Sequence, residues 1–197
     1  YKNKGKIMAN LDINELIKIP YSCSPTSSSD KKRIAYLNNK SGTPQVWLCD
    51  ENNVHKPLTS YTERVALVSW STDDKWILFS IDKGGDENFQ MKLIDASDYT
   101  NIISLSNDMS VRNDFGGWST DGSTIVYSSN KRDAAYFDLY TQKINEEPKL
   151  VYQTSNDVHS VAFKAYSNDL KKIVFTEERT NRYQYLKILD ILIKLFR

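Results

Sequence analysis

Reactive side chains are scarce in this chain, which has two cysteines and two histidines among its 197 residues. Two thiols make no disulfide framework. Cys23 and Cys49, close together near the start, read as free, buried thiols of a reducing compartment, the alternative being one bridge between them. Neither His55 nor His159 has a serine or cysteine placed to use it as a general base, so surface or packing roles are expected. An excess of one charge is lacking too: 26 Lys and Arg face 25 Asp and Glu, a net charge of +1. That removes the electrostatic case for nucleic acid or an anionic membrane as partner. No apolar run approaches the ~18 residues of a membrane-spanning helix, and no apolar segment precedes a cleavage site near the N-terminus. A cytoplasmic location is therefore expected, with the N-terminus, which opens on Tyr1, left open. No glycine-rich phosphate loop opens a helix, and no cofactor is expected.

What the chain does have is an internal repeat. An aspartate is followed four residues on by isoleucine and six on by an aromatic in four places: Asp30/Ile34/Tyr36, Asp73/Ile77/Phe79, Asp121/Ile125/Tyr127 and Asp169/Ile173/Phe175. The aspartates are 43, 48 and 48 residues apart, a period typical of propeller blades and other arrays. A serine stands two residues before each (Ser28, Ser71, Ser119, Ser167), and Trp70, Trp118 and Tyr166 stand three before in the last three copies.

Each unit reads as a hairpin. Ser-x-Asp is turn chemistry, and residues two apart on a strand share a face. In Trp118-Ser-Thr-Asp-Gly122 the Asp-Gly pair supplies the positive backbone angle of a tight turn, and the strand Ser123 to Ser129 leads out with Ile125 and Tyr127 buried. Third strands are predicted at Gln45 to Cys49, Asn88 to Asp95, Ala135 to Thr141 and Arg182 to Leu189. Weaker fourth strands are predicted at His55 to Thr59, Asn101 to Leu105 and Lys149 to Gln153. The fold class is all-β: a partial propeller of about four four-stranded antiparallel blades, at about 19–63, 64–110, 111–157 and 158–190. A β-sandwich is the alternative, but it has no reason to repeat identities as well as spacing. Residues 1–18 form an N-terminal extension. The tail 191–197 breaks the pattern, and reads either as a helix with Leu189, Leu192, Ile193 and Phe196 on one face or, preferred, as a chain cut or out of frame.

The string Trp118 to Ser129 resembles the repeat of TolB-type propellers and of propeller domains in the prolyl-oligopeptidase family. Lys32 to Trp47 with Pro57-Leu-Thr59, and Trp70 to Gln90 with its Gly-x-Glu-Asn-x-Gln ending, resemble blades of dipeptidyl aminopeptidases and acylaminoacyl-peptidases. The likeness runs from about Ile19 to Asp190. It implies a non-catalytic gating portion of a serine peptidase for short or N-acylated peptides, truncated before its α/β-hydrolase domain. That domain would be the partner through which peptide is met. The rivals are a TolB-like protein-interaction module and a non-functional gene fragment. Self-association through open blade edges is a further expectation.

The chain alone reads as no enzyme. Gly117-Trp-Ser119-Thr-Asp121-Gly122 comes nearest to a nucleophile elbow, but aspartate stands where G-x-S-x-G needs its second glycine, which makes Ser119 a turn serine. Asp82, Asp86, Glu87 and Asn88 cluster beside Gly84 and Gly85 without the spacing of a calcium loop, so the segment reads as a solvated turn and no metal is expected. Asp30, Asp73, Asp121 and Asp169 are expected to cap backbone amides, with Trp70 and Trp118 as structural partners. The binding candidates are Glu87, with Asp86 and Asn88. If the family arrangement holds, this loop faces the interdomain cavity, where Glu87 would meet a basic group of the partner domain or a substrate amine.

Overall fold

A computed structural model describes residues 18–155, 158, 160–180 and 183–191. They form four antiparallel sheets, each taking its strands in chain order. Blade 1 contains β1 (Ser22–Ser27), β2 (Ile34–Asn38), β3 (Gln45–Cys49) and β4 (His55–Pro57). Blade 2 contains β5 (Val65–Trp70), β6 (Trp76–Ile81), β7 (Gln90–Asp95) and β8 (Ile102–Ser104). Blade 3 contains β9 (Asn113–Trp118), β10 (Thr124–Asp133), β11 (Tyr136–Lys143) and β12 (Lys149–Tyr152). Blade 4 contains β13 (Ser160–Tyr166), β14 (Lys172–Thr180) and β15 (Tyr183–Asp190), three strands among the described residues. Residues 1–17 and 192–197, which include most of the extension and tail, lie outside the described residues, as does His159.

The core lies between sheets, because alternate residues of a strand point to opposite faces and both faces are covered. In β6, Ile77, Phe79 and Ile81 pack toward blade 1 with Ala35, Leu37, Val46 and Leu48. Leu78, one residue out of phase, packs with Met91 and Leu93 against Trp118, Ile125 and Tyr127 of blade 3. Val126 and Leu139 repeat this against Ile173 and Phe175 of blade 4. The isoleucine and aromatic of each repeat thus form the face a blade turns toward its predecessor.

The Ser-x-Asp turns share one hydrogen-bond plan. Each serine hydroxyl donates to its aspartate, at 2.6 Å for Ser28, 2.7 Å for Ser71, 2.6 Å for Ser119 and 2.7 Å for Ser167. The same hydroxyl accepts the backbone N–H five residues on, from Arg33, Trp76, Thr124 and Lys172. Each aspartate accepts the N–H two residues on, from Lys32, Lys75, Ser123 and Lys171. The residue after the aspartate adopts positive φ in all four turns: Lys31 (62°), Asp74 (60°), Gly122 (68°) and Leu170 (55°). The sequence marks this only at Gly122. The other three tolerate a left-handed angle because the hydrogen bonds around them close the loop.

Neighbouring turns are tied in one direction. The Ser29 N–H donates to Asp74 Oδ1 at 2.8 Å, and its hydroxyl donates to Oδ2. Thr72 Oγ1 donates to the carbonyl of Ser119, and Thr120 Oγ1 to that of Asn168 at 2.6 Å. The aromatic three residues before the last two aspartates also reaches back one blade. Trp118 Nε1 donates to Ser69 Oγ at 3.1 Å, and the Tyr166 ring covers Gly117, where an added Cβ would stand 2.3 Å from it.

Candidate functional site

Antiparallel blades put the Ser-x-Asp turns at one end of the arc and the loops joining second to third strands at the other, beside the connections between blades. The loop after β6, residues 82–89, lies at this second end. Its shape comes from local acceptors: the Asn88 N–H donates to Asp86 Oδ1 at 2.9 Å, and the Glu87 N–H to Asp82 Oδ2 at 3.2 Å. Glu87 has a positive φ of 60°, and its side chain is 61% exposed.

Glu87 finds its basic partner within the chain. Arg112 Nη1 donates to Glu87 Oε2 at 3.1 Å, while Nε donates to Asp114 Oδ1 at 3.0 Å and the guanidinium lies over the Phe89 ring. One guanidinium between two carboxylates leaves that trio one net negative charge, open to solvent on the Glu87 side. The pair is exposed, so its worth to stability is below about 1 kcal/mol. Sequence reasoning placed Glu87, Asp86 and Asn88 on a loop but missed Arg112, which arrives from the next blade through packing.

At the same end a cleft of about 310 Å³ lies among blade 2 and the connections that enter and leave it, lined in part by Tyr61, Glu63, Asp82, Lys83, Gln90 and Met109. Asp82 is 3% exposed, which corrects the expectation of a solvated turn at that residue. Its side chain continues inward from the end of β6, where strand alternation rather than loop polarity sets its direction. Asp82 Oδ1 and Gln90 Oε1 are buried without a hydrogen-bond partner among the described residues. The Thr62 hydroxyl holds the Glu63 carboxyl below its usual range, and burial pushes the Tyr61 phenol up.

Gln90, the last residue of the Gly-x-Glu-Asn-x-Gln string, is a clamp. Its Nε2 lies within hydrogen-bond distance of the carbonyls of Asn88, Asp108 and Val111, tying this loop to the connection into blade 3. Gln45 plays the same part in blade 1, bonding the carbonyls of Tyr61 and Glu63. Asp138 takes that register in blade 3. It is fully buried, paired with Arg132 at 2.5 Å and accepting from Thr154. Burial pushes its carboxyl up, but the bonds from Arg132 and Thr154 hold it below the usual value. The signal was a glutamine opening the third strand of both early repeats.

Other candidates resolve as structural. Ser119 serves its turn, and His55 is exposed, with Nδ1 2.7 Å from the Tyr36 hydroxyl. Both thiols are free. Neither is buried as expected: Cys23, on β1 at the edge of its sheet, is exposed, and Cys49 is half-buried. No group of three His, Cys, Asp or Glu among the described residues could hold a metal.

The architecture defines the class: this is a β-propeller segment. No protein-family model matches the chain, and no curated protein matches it. Among solved structures it is similar to TolB from Acinetobacter baumannii, with a TM-score of 0.64 and 22% identity over 87% of this chain and 41% of that one. It is also similar to a prolyl endopeptidase, with a TM-score of 0.69 and 12% identity over 88% of this chain and 28% of that one. The chain therefore spans less than half of either protein and shares their propeller fold.

Proposed function

We propose that this chain is the access-controlling propeller portion of a serine peptidase acting on short or N-acylated peptides, with the serine, histidine and aspartate chemistry in an α/β-hydrolase domain outside these residues. The observation that carries the reading is the fold likeness to a prolyl endopeptidase, joined to a loop end that presents an open acidic cluster. On this reading the loop end faces the hydrolase domain. Glu87, held by Arg112, then presents a carboxylate edge to a basic group of that domain or to the amine of a peptide. The test is to express the gene with its sequence beyond the Arg197 codon and to assay dipeptidyl and N-acylaminoacyl p-nitroanilides. Hydrolysis is expected, with a several-fold higher KM for Glu87→Ala. A product with no hydrolase activity would overturn the proposal.

The second reading is a TolB-like module that binds other proteins through its loop end. It is favoured by the higher identity to TolB, 22% against 12%. Capture of a protein partner, lost on Glu87→Ala and with no peptidase domain in the gene, is the result that would select it.

A further inference from the structure

The clamp on the third strand is complete in blades 1 and 3 and half-open in blade 2. Gln45 Oε1 accepts the Thr59 hydroxyl at 2.8 Å and the Tyr61 N–H at 2.9 Å. Asp138 Oδ1, in the same register, accepts the Thr154 N–H at 2.8 Å and its hydroxyl at 2.9 Å. Ser106 stands where Thr59 does, its hydroxyl accepting the N–H of Met91 as that of Thr59 accepts from Val46. It makes no bond to Gln90, whose Oε1 is buried without a partner among the described residues. The connection that would supply the donors is one residue longer here. Val65 lies six residues after Thr59 and Asn113 seven after Ser106, although both donate their N–H to the carbonyl just before the clamp.

A second position repeats the contrast. Asn38, Ile81 and Ser129 pair with the three clamp residues, and the residue after each is Asn39, Asp82 and Asn130. Asn39 Oδ1 accepts the Tyr21 N–H and Asn130 Oδ1 the Arg112 N–H, both at 2.7 Å. Asp82 Oδ2 takes the Glu87 N–H, but Oδ1 takes none, and the residue is 3% exposed. A neutral amide has become a buried carboxylate at the very place that has lost its donor. Asp82 and Gln90 line the same 310 Å³ cleft, a volume within the ~300–1,000 Å³ of small-ligand sites.

We infer that this cleft binds a primary ammonium carried on an alkyl chain. The nitrogen donates to Asp82 Oδ1 and Gln90 Oε1, supplying the donors that the chain itself supplies in blades 1 and 3. The carboxylate balances its charge, and Tyr61, Ile81 and Met109 take the methylenes. Both acceptors are closed to bulk water, and Gln90 holds the connection at Asp108 and Val111 through Nε2 alone, so this wall is the one that shifts as the ammonium enters. The inference rests on the contrast between blades and not on the peptidase reading.

Pentylamine titrated into the isotope-labelled 197-residue chain near pH 7, followed by backbone amide shifts, tests it. Saturable shifts confined to residues around the cleft are expected, with none from pentanol at equal concentration. Asp82→Asn, which restores the asparagine of blades 1 and 3, should leave the remaining amide spectrum unchanged and weaken binding at least about tenfold. Nα-acetyl-lysine amide is titrated in parallel: tighter binding than pentylamine assigns the site to a lysine side chain of a peptide, and weaker binding assigns it to a free alkylamine. Shifts that do not saturate, equal shifts with pentanol, or undiminished binding by Asp82→Asn would overturn the proposal.

Discussion

A single hydroxyl does several jobs in each turn. Ser119, 6% exposed, donates to Asp121 and accepts from Thr124, so Ser119→Ala leaves the half-buried Thr124 N–H without this partner. The expected loss is about 1–2 kcal/mol, read by urea unfolding as a lower midpoint at unchanged slope. The aspartates give the same turns a pH signature. Asp121 and Asp169 are held down to about 2, in both cases first by the serine hydroxyl and then by backbone N–H bonds. A carboxyl depressed in the folded state contributes stability above its unfolded pKa of ~3.9 and loses it as pH falls toward the folded value. Stability should therefore fall between about pH 4 and pH 2, and Asp121→Asn should flatten that slope in an acid titration followed by circular dichroism. These turns were legible because serine, aspartate, isoleucine and aromatic recur by identity. The left-handed angle at Lys31, Asp74 and Leu170 was not, because those side chains announce no such conformation.

Contacts between elements depend on small residues as much as large ones. The Tyr166 ring occupies the space a Cβ at Gly117 would need, and Phe163 does the same at Gly116. Gly117→Ala should force the ring away and loosen β13 from blade 3, at about 1–3 kcal/mol, with partial recovery on adding Tyr166→Leu. Limited proteolysis would show cleavage moving into blade 4. A buried charge also holds this junction. Glu177, fully buried, meets Lys187 at 2.7 Å, the Tyr152 hydroxyl and Arg179 at 3.6 Å. Burial pushes its carboxyl up, but the bonds from Lys187 and Tyr152 outweigh burial and hold it below its usual value. Lys187→Met removes the nearest cation and leaves that charge to Arg179 and the Tyr152 hydroxyl, and should cost about 1–3 kcal/mol near pH 7. The penalty should shrink toward pH 4, where Glu177 can take a proton, and unfolding midpoints at the two pH values would show the convergence. Strand positions were readable from alternating apolar residues, but these partners were not. Gly117 meets Tyr166 from 49 positions away and Glu177 meets Tyr152 from 25, and only blade packing brings these pairs together.

Across the whole molecule, the period of 43 to 48 residues was enough to indicate the architecture, because only stacked units need the same face at the same interval. The loop end was less legible. Its clamp residues Gln45 and Gln90 resemble ordinary strand polars, and Arg112 resembles any surface cation until the blades close up. The one-way tie between turns has a consequence for how such a chain can grow. Each of the first three units carries forward a hydroxyl and a packing face, and each of the last three receives its predecessor on an isoleucine, an aromatic and a Ser-x-Asp turn. A copied or excised stretch of 48 residues therefore brings or removes both halves of a junction together. With blade 3 excised, Thr72 would face the turn at Ser167, and Tyr166 would settle over Ser69 where the larger Trp118 had been. The gene can lengthen or shorten by whole units without inventing a new interface.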